Sequence, residues 1–510
     1  MKRFKLTYCL LVVLMSVVCL PGCVQDEPGE TPEEKPSQEV NVQLTLLLSM
    51  PSAAGTRAPG DPLHSGTDEE NACNKLTLFI VDTNNGAKIQ HFTQTGTFVN
   101  DQTIPFTIKT SLGGKKVFVA ANMDDDYIDA VKAALDHNPA ITIADIVDVA
   151  SPNDFLMTGQ AVLAGTTEED IEIEASTTNY NVEVKLTRVM AKVLLTCTTK
   201  TYNNTEYLFG FAPNDGASSI GYIRLEHVHY ILETTNKKFF PFEKGTNTDA
   251  NVDPNFLMST TLPGDFFGAT IDAKDGKAAV KYDESKLFNN SNRYTDGIYC
   301  LENTIDIDED YSSNPDKPKQ VGTYLKIAAK FTPKYLFGNR DGVNPDQYHQ
   351  GLTESVSIGM YMNNVTLSHD FVMPDGTVWP QGTLLPNETF FTCKKAPDGK
   401  YMNVNAKDMC YPNIDAGIKY LSTYYGLTVT PADFTIHLGS LQYYETFVNS
   451  PTVFDASSGV VRNNYYILNI TKITPQLTEK TIEVNTVVLD WEDKGTTTID
   501  IETIGNHTTN

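Results

Sequence analysis

The stretch VNVQLTLLLSMPSAAGTRAP, Val40 to Pro59, decides how the chain is read. Val40, Val42, Leu44, Leu46 and Leu48 alternate with Asn41, Gln43, Thr45 and Leu47. Successive side chains of a strand point to opposite faces, so this run has one apolar face and reads as a strand laid on a core. Pro51 ends it, since proline cannot donate a ladder hydrogen bond. The Gly-, Pro-, Ser- and Asp-rich run from Pro51 to Asn71 reads as an exposed loop. One arginine stands in that loop, Arg57, followed by the small Ala58; the flanking lysines are Lys35 and Lys75. A core strand is thus joined to the rest of the chain through a segment of the kind proteases nick first.

Upstream, Lys2, Arg3 and Lys5 precede an uncharged, mostly apolar run from Leu6 to Leu20. Its length suits a signal peptide and falls short of the ~20 residues that span a bilayer. It ends in LPGC, Leu20 to Cys23, which resembles a bacterial lipobox, where a signal peptidase cuts before the cysteine and the thiol is acylated. An ordinary signal peptide with an incidental cysteine is the alternative reading. The next segment, VQDEPGETPEEKPSQE, lacks aromatic residues and is rich in Glu and Pro, the composition of a disordered tether.

Downstream, 510 residues allow two or more domains. A net charge of −25 makes nucleic acid and anionic membrane surfaces poor partners. Abundant Tyr, Phe, Val and Thr favour strands, and Asn suits the turns between them. KLTLFIVDTNNG (Lys75–Gly86) reads as a strand entering a turn, and FTIKTSLGGKKVFVAANMDD (Phe106–Asp125) as two strands joined around Gly113-Gly114. Asp126–Asp136 has helical spacing, and Thr142–Ala150 is a second short helix candidate. FLMTGQAV and DIEIEA return to extended structure. VEVKLTRVMAKVLLT (Val182–Thr196) reads as one long strand, and many short strands come after it to the end of the chain. The expected fold is mainly β: two β-sandwich domains in tandem, the C-terminal one enlarged by loops, with few short helices. The expected division is 1–22 signal peptide, 23–57 lipidated propeptide with tether and first strand, 58–178 N-terminal domain, 179–490 C-terminal domain, and 491–510 a tail.

No chemistry-bearing motif is complete. GGKK at Gly113 lacks phosphate-loop spacing, and GASSIG at Gly216 is not a nucleophile elbow. His227 and His229 share a strand face without an identifiable third ligand. Asp306–Asp310 begins like a calcium loop, but Tyr311 and Lys317 stand where glycine and glutamate belong. Cys73, Cys197, Cys300, Cys393 and Cys410 are scattered and odd in number; if any disulfide forms, Cys393 with Cys410 is the expected pair. No enzyme, metal site or cofactor is expected, apart from a covalent lipid on Cys23.

Taken together, LPGC, GTRAP, KLTLFIVDTNNG, VFVAANMDD, FLMTGQAV, VEVKLTRVMAKVLLT, VVRNNYYILNITKI and VVLDWEDKG resemble, in that order, landmarks of the Bacteroidales fimbrillin family, the type V pilins. The length is closer to the minor-fimbrillin branch, and the middle from about Tyr202 to Pro386 carries no landmark. The resemblance implies transthyretin-like sandwiches. It also implies export as an outer-membrane lipoprotein, to which Val24, Asp26 and Glu27 conform. An arginine-specific protease would then cut after Arg57, before Ala58, and the subunit would become part of a cell-surface fimbrium serving adhesion and biofilm. The implied partners are further copies of the chain, accessory anchor and tip subunits, and the protease.

The physical consequence stands without the family. Loss of the first strand would leave unpaired backbone groups over an apolar floor. Five Val and Leu side chains at about 1.5–3 kcal/mol each make roughly 8–15 kcal/mol an upper bound on what a replacement strand regains. The expected donor is the tail TTTIDIETI of a neighbouring copy, in which Thr497, Ile499 and Ile501 form one face. Competing readings are a tip or anchor subunit and a surface glycan-binding lipoprotein, for which adjacent Tyr424-Tyr425 would supply a stacking face.

Overall fold

The computed structural model describes residues 38–50, 67–84, 88–137, 140–202, 204–208, 221–242, 266–267, 292–293, 297–303, 322–333, 336–337, 365–372, 376–397, 400–401, 404–449, 459–474 and 481–490. The signal segment, Cys23, Arg57, Ala58, the calcium-like loop Asp306–Asp310, residues 216–220 of GASSIG, and Thr497, Ile499 and Ile501 of the tail lie outside the described residues.

The described chain is mainly β. Nine strands form the N-terminal sheet: β1 (Glu39–Ser49), β2 (Cys73–Asp82), β3 (Ile89–Phe98), β4 (Thr103–Ser111), β5 (Gly113–Ala121), β6 (Met157–Leu163), β7 (Asp170–Ile173), β8 (Asn179–Lys185) and β9 (Thr187–Arg188). Their order is β3-β2-β5-β6-β8-β1-β4, with β7 paired to β5 and β9 to β6. The two ends of this sheet close on one apolar core. Val42, Leu44, Leu46, Leu48, Ile104, Phe106, Val182 and Val184 on one side meet Leu76, Leu78, Ile80, Val117, Val119 and Ile171 on the other. Alternation in every strand produces this layering. β4 and β5 are strands, as their residues indicate, but they do not pair with each other; the chain changes layers at Leu112, and Gly113 takes φ +102° at the corner.

Strand β6 links the layers, pairing with β5 on one side and β8 on the other. Its Gly159 lies where a Cβ would sit 2.1 Å from the Lys185 carbonyl oxygen. The strands approach that closely because no side chain intervenes.

Helix α1 (Asp68–Asn71) precedes β2, and α2 (Ile128–His137) comes after β5. Asp124 caps the turn leading into α2, its side chain accepting from the Asp126 N–H. The second helix expected over Thr142–Ala150 is absent: Ile146–Asp148 makes one 3-10 turn. Asp145 and Asp148 cap that turn reciprocally, and Ile141–Thr142 pairs as a short strand with Lys238–Phe239. Carboxylates at both ends of so short a segment satisfy the backbone groups a longer helix would need.

The single strand expected over Val182–Thr196 is broken into β8, β9 and β10 (Met190–Cys197). Leu186 still belongs to the N-terminal core, Val189 and Met190 to a junction cluster with Phe79, Phe239 and Leu301, and Ala191 to the C-terminal core. The expected division at 178/179 therefore falls ahead of β8, which pairs with β1 and β6 inside the N-terminal sheet. The chain changes cores at Leu186–Ala191, where the fully buried Arg188 must find hydrogen-bond partners.

The second part repeats the sandwich. Its further strands are β11 (Thr199–Tyr202), β12 (Thr205–Leu208), β13 (Gly221–Glu233), β14 (Ile298–Leu301), β15 (Tyr324–Pro333), β16 (Phe390–Cys393), β17 (Phe434–His437), β18 (Leu441–Phe447), β19 (Asn464–Thr474) and β20 (Thr481–Asp490). One sheet runs β14-β10-β19-β20, the other β11-β12-β13-β15-β18 with Asn292–Arg293 added to β13. Both contribute to one core, including Val193, Leu195, Ile223, Ile327, Tyr444, Tyr466 and Leu468. Part of the expected loop enlargement has its own core: α3 (Ile414–Tyr425) packs with β16 and β17 through Tyr411, Ile414, Tyr420, Leu421 and Phe434. The five cysteines are free thiols, so Cys393 and Cys410 are not bridged.

Gly159→Ala is expected to force β6 away from β8 and cost about 1–3 kcal/mol, an overpacking effect. Denaturant unfolding of the precursor checks this, and an unchanged midpoint would show that β6 shifts freely.

Candidate functional site

The geometry of interest is the seat of β1. This strand lies inside the sheet, parallel to β8 from Gln43 opposite Asn179 to Ser49 opposite Lys185. On its other side it runs antiparallel to β4, from Glu39 opposite Ser111 to Leu47 opposite Thr103. The apolar faces line up in rows: Val42 with Ile108, Leu44 between Phe106 and Tyr180, Leu46 between Ile104 and Val182, and Leu48 beside Val184. Val42, Leu44, Leu46 and Leu48 are buried, as their alternation predicts, while Val40 is half-buried at the strand's start. Leu47 breaks the polar alternation and points outward, 38% exposed.

Both ends of the strand are tied. The Leu112 N–H donates to the Gln38 carbonyl (3.2 Å) and the Gln43 N–H to the Thr178 carbonyl (2.8 Å). At the far end the Leu186 N–H donates to the Ser49 carbonyl (2.8 Å), and the Met50 N–H to Asn100 Oδ1 (2.7 Å). Glu39 accepts from Lys109 Nζ (2.6 Å), with Lys88 Nζ at 3.8 Å. The Lys109 hydrogen bond and charge hold the exposed Glu39 carboxyl below its ordinary range, with Lys88 adding to the effect.

Among the described residues β4 pairs with no strand but β1. Its other anchor is the connection to β5. There Asp82 Oδ2 accepts from Ser111 Oγ (2.7 Å) and from Lys115 Nζ (3.1 Å). Burial pushes the Asp82 carboxyl up, but the bonds from Ser111 and Lys115 outweigh it and leave it below the usual range.

The chain re-emerges from residues 51–66 into a second anchorage. Thr67 and Glu70 form a capping box around α1. Glu70 is buried; Lys192 Nζ donates to its Oε1 (2.6 Å), Tyr299 Oη donates to the same oxygen, and the Thr67 N–H donates to Oε2 (2.7 Å). Arg188 donates from Nε to the Glu70 carbonyl (3.3 Å), from Nη2 to Asn71 Oδ1, and from Nη1 to Asn463 Oδ1 (3.4 Å). The segment beyond the arginine loop is thereby fastened to β9, β10, β14 and the start of β19. Burial pushes the Glu70 carboxyl up, but the Lys192 charge and the bonds from Lys192 and Tyr299 bring it below its ordinary value. Residues 51–66, which include Arg57, thus join two fixed points, Met50 and Thr67. The exposed loop expected as far as Asn71 therefore gives way at Thr67 to a capped helix with Glu70 buried; the T-x-x-E pattern that marks it was passed over, and Lys192 and Tyr299, far along the chain, carried no signal.

The other residues singled out in the sequence gather nothing comparable, and among the described residues no three His, Cys, Asp or Glu side chains assemble as metal ligands. His227 lies on β13 with Nε2 3.6 Å from Glu226. Tyr424 and Tyr425 pack on Tyr420, with ring centroids 4.6 and 6.5 Å away. Burial pushes the Cys73 and Cys300 thiols up to about 12, which leaves them unreactive at neutral pH. No helix among the described residues is long and apolar enough to cross a membrane.

Solved structures that resemble this chain include fimbrial proteins. A fimbrilin from Porphyromonas gingivalis is 16% identical, with 88% of this chain and 97% of that one covered and a TM-score of 0.37. The tip fimbrial protein Mfa3 from the same organism, truncated at its C-terminus, is 14% identical over 89% of this chain and 100% of that one, with a TM-score of 0.36. A fimbrial assembly protein from Parabacteroides distasonis is 11% identical over 90% and 98%, with a TM-score of 0.33. No family model and no curated protein matches the sequence.

Leu46→Ala is expected to destabilise the uncut precursor by about 2–5 kcal/mol, and Leu47→Ala by no more than about 0.5 kcal/mol. Urea unfolding separates the two, and equal effects would contradict the burial of one face. The Glu70 carboxyl has a folded-state pKa below its unfolded value. Its contribution is therefore present above the ordinary glutamate range and lost as pH falls through the folded value. Glu70→Gln is expected to cost about 1.5–3 kcal/mol at neutral pH, with the gap from wild type closing in acid. A gap independent of pH would mean that the charge does not matter.

Proposed function

We propose that this chain is the precursor of a fimbrial subunit that polymerises by strand exchange. It is exported as a lipoprotein acylated on Cys23 and cut after Arg57 by an arginine-specific protease at the cell surface. It then releases residues up to Arg57, β1 included. The tail of a second copy, with Thr497, Ile499 and Ile501 facing inward, takes the vacated seat.

The observation that carries this reading is the placement of β1. It is joined to the rest of its sheet through residues 51–66, which include Arg57, yet it is a central strand with every second side chain from Val42 to Leu48 in the core. One cut turns a covalent core strand into a separable one. Its departure exposes two strand edges and an apolar floor, which another extended strand restores. Exchange of this kind is head-to-tail and does not close on itself, so it builds a filament. The anchorage of Thr67–Asn71 supports the reading, because the cut leaves the mature side of the loop in place.

Limited trypsin digestion of the lipid-free precursor, with the new N-terminus read by mass spectrometry and size followed by light scattering, tests it. The first cut is expected between Arg57 and Ala58, with growth into filaments afterwards, and Arg57→Ala abolishes both. A cut without growth would make the chain an accessory tip or anchor subunit. Resistance of Arg57 while other sites are cut would overturn strand exchange.

A further inference from the structure

The outward rim of the β1 seat is unevenly charged. On β4 and β8 the outward residues beside the first half of β1 are Thr107, Lys109, Asn179 and Asn181, and Lys88 enters just ahead of β3. Glu39 is the carboxylate that both Lys109 and Lys88 meet, at 2.6 and 3.8 Å. At the other end Glu183 lies opposite Leu47 and Lys185 opposite Ser49, so the signs are mixed. When β1 leaves, Glu39 leaves with it, and one end of the open seat carries two ammonium groups beside an otherwise neutral rim.

We propose that Lys88 and Lys109 select the register of the strand that replaces β1, by pairing with an outward-facing carboxylate of the incoming tail. This rests on the strand-exchange reading and adds to it the residues that read the donor. The occupant is the tail of a second copy. With Ile499 and Ile501 facing the core, strand alternation turns Asp500 and Glu502 outward. With the tail running opposite to β1, Glu502 at the position of Glu39 brings Asp500 to that of Asn41 and seats Ile501, Ile499 and Thr497 where Val40, Val42 and Leu44 were, so the lost pairing is restored. Lys494 has the same parity, and registers that bring it there set three ammonium groups together, so they are disfavoured. Apolar contacts alone discriminate poorly between registers two residues apart, since each such slip keeps the isoleucines inward. The charges supply the distinction. The pairs are exposed, so each contributes little; the effect is on choice of register more than on holding strength.

The test uses the full precursor nicked at Arg57 by trypsin and mixed with excess synthetic peptide of residues 491–510. Release of the 1–57 fragment and capture of peptide are followed by size exclusion and mass spectrometry. The wild-type peptide is expected to be captured about tenfold more tightly than a peptide carrying D500K and E502K. In a chain carrying Lys88→Glu and Lys109→Glu the preference is expected to invert. The exposure of both lysines leaves the fold of that variant intact. Equal capture of the two peptides, or a preference that does not invert, would overturn the proposal while leaving strand exchange standing. Capture of neither peptide by the nicked wild-type chain would overturn strand exchange, and this inference with it.

Discussion

The structure depends on a strand that is paired along both edges, fills the core, and is joined to the rest of its sheet through residues 51–66. β1 is hydrogen-bonded along both edges, and its Val42, Leu44, Leu46 and Leu48 fill the N-terminal core. Backbone groups taken out of water must be paired, and apolar side chains taken out of water resist return to it. Those two demands make the seat of β1 specific for another extended strand and make an empty seat costly.

The second domain makes the same arrangement permanent. Its first strand, β10, also lies inside its sheet, parallel to β19 on one side and antiparallel to β14 on the other. There the strand continues directly from β9, and no exposed loop separates it from the sheet. The contrast lies in the connection: the seats are similar, but β10 continues from β9 while β1 is joined to its sheet through residues 51–66. The junction network supports the difference. Glu70, Arg188, Lys192, Tyr299 and Asn463 tie Thr67–Asn71 to the second domain through hydrogen bonds that involve no β1 residue.

Much of this was legible in the sequence. The period-two pattern of Val40–Leu48 told which side chains are buried, because one sheet face is core and the other is not. The features that escaped it were cooperative or distant. The run Val182–Thr196 looks continuous, and only tertiary packing shows that Arg188 interrupts it to reach Glu70, Asn71 and Asn463. Asp145 and Asp148 turned a helix-like pattern into a single capped turn. Helix α3 went unpredicted although its signals were present: Asn413 caps its start, and Gly426, at φ +64°, ends it. The parallel neighbour of β1 had no sequence signal, since pairing with β8 joins segments separated by six other strands of the same sheet.

Hydrogen exchange along β8, residues 179–185, reports whether removal of β1 opens a seat. It is measured on the precursor, on the cut chain after residues 1–57 are removed, and on the assembled product. The β8 amides facing β1 are expected to be protected in the precursor, to lose that protection once the strand is gone, and to regain it on assembly. Protection that persists after the fragment has left, with no second copy bound, would mean that the sheet closes without β1 and that no seat is opened.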